Sequence, residues 1–336
     1  MKIWYDITNT PQVHFILAVK NALNGAFKHD SIITTREFSE TTRLLQQKTS
    51  EPFLVIGSHK GKNKAKKMCG VLTRFAEALN KVQGFDASIS CGSESAVWSS
   101  FLKGKKSVTF GDNDLAKQWT YGLFATKAFF PDSIKESTLT RQGISKHRLV
   151  RYHGFKEDLY LAYYKPDLKF VDTLPFEHYV VVRPENLQAN YINNDSVKPI
   201  TPKLLQALSK AGYNILYLPR YAVDKAYAEG VRNIYIPDKP INGLDACYFS
   251  EGVLTGAGTF AREAACLGVP SFSFFAGKSL LAVDKAMIKD GKMFFSREVS
   301  ELMAKLKTSK RTDVDVNRSK VVQEEVISKL KEVIES

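Results

Sequence analysis

Short runs of β-branched and aromatic residues alternate along the chain with stretches whose apolar residues recur every three or four positions. The runs read as buried strands and the periodic stretches as amphipathic helices. KIWYDI (2–7) is a strand, and QVHFILAVKNALNG (12–25) a helix with Gly25 predicted as its stop. SIITT (31–35) and SETTRLLQQ (39–47) repeat the pair, with Ser39 as the helix cap. PFLVIG (52–57), a helix over 64–82, DASIS (86–90), ESAVWSSFLKG (94–104) and KSVTFGD (106–112) continue it. The pattern restarts at HYVVVRP (178–184) and runs on to LTGAGTFAREAACLGVPSFSFF (254–275).

Strands alternating with helices predict an α/β protein with parallel sheets, helices on both faces and right-handed crossovers. The length of 336 residues suits two domains. The predicted division is 1–160, 161–315 and a C-terminal amphipathic helix, 316–336, expected to cross back to the first domain. The aromatic, weakly periodic segment 152–176 reads as the linker. Ligands of such sheets sit beyond the carboxyl ends of the strands, so the residues just after each strand carry the functional reading.

Composition adds a direction. Hydrophobic content of 44% and charged content of 25% are those of a globular protein, but the net charge is +13. That favours anionic partners: phosphorylated metabolites, headgroups or nucleic acid. Cys69, Cys91, Cys247 and Cys266 have no metal-pair or CxxC spacing and read as reduced thiols. No apolar run is long enough to span a membrane, and MKIWYDITN lacks a signal-peptide core, so the expectation is a cytoplasmic protein. No metal-ligand cluster appears, and no cofactor or metal is expected. With no zinc-finger or RNA-recognition signature, nucleic acid is not the expected partner.

The turn Gly256-Ala257-Gly258-Thr259 joins a strand to a helix. Small residues let backbone approach a ligand, and the helix start favours an anion. Thr259 can cap the helix or donate its hydroxyl, and Glu263, one turn on, can accept two ribose hydroxyls. A plain βα turn with Glu263 facing the helix dipole is the alternative. Arg183 and Arg220, each after a strand of the second domain, would neutralise a diphosphate.

GAGTFAREAACLGVP (256–270) resembles the nucleotide-binding segment of the non-hydrolysing sugar-nucleotide 2-epimerases and related GT-B glycosyltransferases, through Gly258, Glu263, Ala264, Leu267, Gly268 and Pro270. The resemblance implies a GT-B-like fold, two Rossmann-like domains with parallel sheets facing across a cleft, in which Glu263 holds the ribose of a UDP-type donor. VVVRPEN (180–186) resembles the epimerase segment His-Arg-Arg-Glu-Asn through Arg183, Glu185 and Asn186, with Val182 at the histidine and Pro184 at the second arginine. The epimerase segment Glu-Ala-Gly-Leu-Arg has no counterpart; FGDNDLAKQW stands there. Over nearly its whole length the chain also resembles the prokaryotic family named domain of unknown function 354. The segments that carry this are DITNTPQVHF, TTREFSET, GDND, YHGFKEDLYL and VVVRP.

In the first domain, strand ends carry Asp6 and Asn9, then Arg36 and Glu37, then Gly92, Ser93 and Glu94, then Asp112 and Asn113. His153 and Gly154 lie where the chain leaves that domain. All are candidate cleft residues. His14 or Asp112 is the candidate catalytic base, since a histidine titrates near neutrality. A catalytic His14 is expected beside Asp6, Asn9 or Asp112; a packed one among Phe15 and Leu17. The lysines at 60, 62, 64, 66 and 67 precede apolar residues and fit either a solvated face or an anionic membrane surface bearing a lipid-linked acceptor. The sequence thus points to a metal-independent glycosyltransferase with a nucleotide-sugar donor, in the cytoplasm or peripheral to the membrane. The alternatives are a sugar-nucleotide 2-epimerase and a catalytically silent nucleotide-sugar sensor.

Overall fold

The computed structural model describes residues 1–37, 41–58, 64–187, 198–313 and 316–336, with the side chains of 64–67 and 316 set aside. Ser39, Lys60 and Lys62, and the side chains of Lys64, Lys66 and Lys67, therefore lie outside the described part. Two compact units form: Met1–Ala162 with Asn317–Ser336, and Tyr163–Val316.

The first unit runs β1 (Lys2–Ile7), α1 (Pro11–Ala26), β2 (Asp30–Glu37), α2 (Thr41–Lys48), β3 (Phe53–Ser58), α3 (Lys64–Lys81), β4 (Ala87–Ser90), α4 (Glu94–Leu102), β5 (Lys106–Phe110), α5 (Trp119–Gly122), β6 (Lys127–Pro131), α6 (Glu136–Arg141), β7 (Leu149–Tyr152) and α7 (Lys156–Leu161). Its seven strands pair in parallel in the order β3-β2-β1-β4-β5-β6-β7. Trp4, Ile56, Ala78, Val82, Phe85 and Ala96 form one core cluster between the sheet, α3 and α4. Gly25 does not end α1. The helix continues through Ala26, and the Phe27 N–H donates to the Leu23 carbonyl as the chain turns extended.

The second unit runs β8 (Val180–Arg183), α8 (Thr201–Lys210), β9 (Ile215–Tyr217), β10 (Ile234–Tyr235), α9 (Gly243–Tyr248), β11 (Gly252–Thr255), α10 (Gly258–Cys266), β12 (Ser271–Ser273), α11 (Ala282–Lys289), β13 (Phe294–Phe295) and α12 (Val299–Thr308). Its six parallel strands lie in the order β10-β9-β8-β11-β12-β13, the doubly wound order of dinucleotide-binding sheets. Val180, Val182, Leu254 and Phe272 meet Leu204, Leu205 and Leu208 of α8 in its core.

The last helix, α13 (Val316–Glu335), belongs to the first unit from Asn317 onward. The segment read as a linker explains how. Its first half is β7 and α7, where Glu157, Asp158 and Leu159 are buried. Asp158 Oδ2 accepts the Phe155 N–H at 2.8 Å and Arg318 Nη2 at 2.9 Å, and Oδ1 accepts the Ser319 hydroxyl at 2.8 Å. Gly154 has φ +135°, and a Cβ there would stand 2.6 Å from Val322 Cγ2, so only glycine lets α13 lie this close. His153 is an exposed side chain whose ring nitrogens stand 3.4 Å from Glu325 and 3.5 Å from Asp132. His153 and Gly154, read from the sequence as cleft candidates, lie against α13.

Candidate functional site

In the second unit the strand order reverses between β8 and β11, where a doubly wound sheet opens a crevice beyond its carboxyl edge. Arg183 ends β8 opposite Thr255, and its carbonyl accepts the Gly256 N–H at 3.0 Å. Thr255 Oγ1 accepts the Ala257 N–H at 2.9 Å and turns the chain into α10. Ala257 is the N-cap, extended, and no side chain caps this helix. The Ala257 N-cap thus offers the first-turn N–H groups of α10 no side-chain acceptor, and such a helix start suits an anion.

One expectation about this turn is corrected. Thr259 is not the cap: it lies inside the first turn, and its hydroxyl accepts Arg262 Nη2 at 3.3 Å. Gly256 and Gly258 do not take left-handed backbone. Gly256 is small because a Cβ would meet Glu185 Cα at 2.6 Å. Glu185 is itself buried and not ligand-facing. Its carboxylate accepts the Ile200 N–H at 2.8 Å and the Thr201 hydroxyl at 2.5 Å, fastening the start of α8.

Around the turn, the Arg183 guanidinium lies 5.4 Å from the centre of the Phe260 ring. Glu263 is half-buried on α10. Burial pushes the Cys247 thiol well up; the Glu263 carboxylate adds to this and the Arg183 charge opposes it, which brings all three side chains into one neighbourhood. Arg220, past the end of β9, donates through Nε to the Pro184 carbonyl at 3.3 Å, so it joins the exit of β8. Asn186 Oδ1 accepts the Tyr221 hydroxyl at 3.1 Å on the same side. Arg183, Arg220, the 256–259 turn and Glu263 therefore gather at one edge of one sheet. Arg262, which sequence reasoning passed over, is buried and pairs with Asp284 at 2.8 Å beneath the turn.

In the first unit the reversal lies between β1 and β4. Asp6, at the end of β1, is wholly buried, which corrects its reading as a ligand-facing carboxylate. Arg74 donates to it through Nη1 at 2.9 Å and Nη2 at 2.6 Å. Burial alone would raise the Asp6 carboxyl, but Arg74 and the Ser93 and Thr34 hydroxyls hold it below the ordinary range. Ser93 is likewise buried: its hydroxyl caps α4, accepting the Ala96 N–H at 3.3 Å. Asn113 shapes its own loop, with Oδ1 accepting the Leu115 and Ala116 N–H groups at 2.9 and 3.1 Å.

Other strand-end residues remain at the edge. Arg36 donates through Nε to the Thr8 carbonyl at 2.5 Å, and burial followed by the nearby Arg74 charge lowers its pKa. Glu37 is exposed at the end of β2. Gly92 takes φ +64° and donates its N–H to Thr109 at 2.8 Å; Glu94 accepts the Thr120 hydroxyl at 3.1 Å. Asn9 Oδ1 is buried with no hydrogen-bond partner among the described residues. Gln12, not singled out by sequence, spans the reversal. Its Oε1 accepts the Thr8 N–H at 2.8 Å, and its Nε2 donates to the Cys91 carbonyl at 3.0 Å.

Asp112 pairs with Lys156 at 2.8 Å, both largely buried, so it is not the unencumbered base the sequence suggested. Burial pushes the neighbouring Cys91 thiol up to about 12, which leaves it unreactive. His14 is half-buried, its ring 6.3 Å from that of Tyr160 on α7. Burial, then the Lys48 charge, lowers its pKa to about 4, so the ring is neutral at pH 7. The carboxylates expected beside it are engaged elsewhere, Asp6 by Arg74 and Asp112 by Lys156. Among the described residues no group of three or more His, Cys, Asp or Glu is placed to hold a metal ion, and no helix is long and apolar enough to cross a membrane.

A family model described as Protein of unknown function (DUF354) matches residues 1–334. An uncharacterized protein of Methanocaldococcus jannaschii is 32% identical over 125 residues, which cover 37% of this chain and only 35% of that relative's length. Among solved structures, UDP-GlcNAc 2-epimerase from Neisseria meningitidis bound to UDP-GlcNAc superposes with a TM-score of 0.74 at 11% identity, covering 99% of this chain and 100% of that one. The Methanocaldococcus jannaschii UDP-GlcNAc 2-epimerase in complex with UDP-GlcNAc and UDP gives 0.72 at 13% identity, covering 98% and 100%. The glycotransferase of kitacinnamycin gives 0.60 at 8% identity, covering 99% of each chain. At these identities the likeness shows the fold: α/β and GT-B-like, with two parallel sheets.

Proposed function

The chain belongs to the family described as Protein of unknown function (DUF354), and within it we propose a metal-independent glycosyltransferase that takes a UDP-type nucleotide sugar. One observation carries the reading: the uncapped first turn of α10 opens at the β8/β11 reversal beside Arg183, with Glu263 one turn further on. The donor diphosphate takes the first-turn N–H groups of α10, and Arg183 and Arg220 offset its charge. Glu263 accepts the ribose hydroxyls. Attack of an acceptor hydroxyl on the anomeric carbon breaks the bond to the diphosphate. The departing oxygen gains negative charge where the helix start and the arginines stabilise it. The proton of the acceptor hydroxyl is assigned to His14 of the first unit, the base candidate left after Asp112 is paired with Lys156. An acceptor carried at an anionic membrane surface fits the net charge of +13.

A second reading, a sugar-nucleotide 2-epimerase, draws support from the likeness of fold to those epimerases. Against it, the position that resembles their histidine is Val182, a wholly buried core residue of β8. Calorimetry with UDP and UDP-sugars tests donor binding, and no binding of any of them would end both readings. Incubation in D2O then separates the two. UDP release that depends on an added acceptor supports transfer, whereas deuterium at C2 of the sugar without an acceptor supports epimerisation.

A further inference from the structure

Arg262 is 2% exposed and Asp284 3%, and the two meet at 2.8 Å between α10 and α11. An ion pair this deep gives the fold little, since taking both charges out of water offsets most of their attraction, and apolar residues of similar size commonly serve as well. Its place near a helix start adds a cost. The first turn of α10 holds no acidic residue, and a cation one turn further in opposes the helix dipole. What the pair touches accounts for its presence.

Long helical side chains lean back toward the N-terminus, so Arg262 reaches the first turn of its own helix. Nη1 donates to Asp284 Oδ1, and Nη2 donates to the Thr259 hydroxyl at 3.3 Å. A Cβ on Gly258 would lie 3.1 Å from Nη1 and 3.8 Å from Asp284 Oδ2, so the pair lies directly against the Gly258 backbone. The Ser271 hydroxyl donates to the Ala261 carbonyl at 2.7 Å and fixes α10 against β12.

Thr259 is the informative partner. A helical threonine commonly turns its hydroxyl back onto a carbonyl three or four residues earlier. Here the hydroxyl oxygen takes a hydrogen from Arg262, three residues later. A hydroxyl has one hydrogen and two lone pairs. With one lone pair taken from inside, the hydrogen points away from the guanidinium, to the open side of this half-buried residue.

We infer that Arg262 is a positioning residue of the crevice at the β8/β11 reversal: clamped by Asp284, it holds the Thr259 hydroxyl with its hydrogen turned outward to donate to a phosphate oxygen. This role rests on the donor reading proposed above, and adds a charge-assisted side-chain donor to the backbone N–H groups of the turn. The guanidinium suits the task because its nitrogens form a fixed fork, one for the carboxylate and one for the hydroxyl. A lysine ammonium would keep the charge beside Asp284 and lose the fixed second contact.

Calorimetry with UDP on the full chain tests this, with thermal melts alongside. Thr259→Val removes the hydroxyl and should weaken UDP binding roughly tenfold. Arg262→Lys should weaken it by a similar factor with a near-normal melt. So should the double substitution Arg262→Met with Asp284→Leu, which leaves no member of the pair buried alone. Adding Thr259→Val to either should bring no further loss, because the arginine acts through that hydroxyl. Losses that multiply toward 100-fold overturn the inference, as does wild-type UDP affinity in Thr259→Val or in folded Arg262 variants. Glu263→Ala separates this from a failure of the donor reading. If that variant alone binds UDP weakly, the donor site stands and the positioning role falls. A wild-type protein that binds neither UDP nor a UDP-sugar removes both.

Discussion

Arg74 grips Asp6 through both terminal nitrogens, at 2.9 and 2.6 Å, from 68 positions away in the sequence. The pair sits beneath the β1/β4 reversal, and Arg74 Nε also donates to the Ile56 carbonyl at 2.9 Å. Asp6→Asn should leave the guanidinium buried without its counter-ion and destabilise the protein by roughly 3–5 kcal/mol. Asp6→Asn combined with Arg74→Met should recover much of that loss. Urea unfolding of the four proteins in a double-mutant cycle measures it. The pH dependence has the sign of a depressed carboxyl: the contribution is present above the unfolded value of about 3.9 and is lost as pH falls through the lower folded value.

His14 makes an opposite-charge case. Its folded pKa is about 4 against an ordinary 6.5, so folding favours the neutral ring. The stability this supplies is complete above 6.5 and declines as pH falls toward 4, because the unfolded chain binds the proton first. His14→Gln should flatten the stability profile across that window while leaving the melting temperature near pH 8 within a few degrees. If His14 is also the base, the same variant loses turnover at pH 7 by roughly 100-fold or more without a change in UDP affinity.

In the proposed reading Glu263, half-buried on α10, holds the ribose. Glu263→Ala should weaken UDP binding about tenfold, or ~1.4 kcal/mol. Calorimetry with UDP, and with the corresponding deoxyribose nucleotide, provides the check. An unchanged ratio of the two affinities in the variant would remove the ribose assignment.

Gly154 tests the seat of the last helix. Alanine there would bring a Cβ to 2.6 Å from Val322 Cγ2 and impose a φ of +135° on an L side chain. A loss of roughly 2 kcal/mol or more is expected. It should show as faster hydrogen exchange along α13, with the second unit's amides unchanged.

How much of this was legible beforehand varies with the range of the interaction. Strands β1, β2, β4, β8 and β11 stand out because their apolar runs are local, and the parallel architecture follows from their alternation with helices. Strands β6 and β7 were not marked: KAFFP ends in proline and LVRY is short and carries an arginine. The strand-end rule located the 256–259 turn, Arg183 and Arg220. It could not tell that Asp6, Ser93 and Glu185 point inward, because each is decided by a distant partner. Asp112 likewise meets Lys156 from 44 positions away. Arg74 did leave a trace, a single charge among Ala78 and Val82 on the buried stripe of α3. The segment 152–176 misled because its carboxylate, Asp158, finds Arg318 and Ser319 160 and 161 positions later.

The seating of α13 has a consequence for how the protein is made. As the chain leaves the ribosome, β1 to α7 emerge first, then the whole second unit, and only then the helix that closes the first. Until it arrives, the surface that receives Val322, Val326 and Leu330 stays uncovered, and the Asp158 carboxylate lacks Arg318 and Ser319. The usual order, in which the earlier domain finishes before the later one begins, does not apply in full here: the first unit is completed only after residues 163–316 have been synthesised.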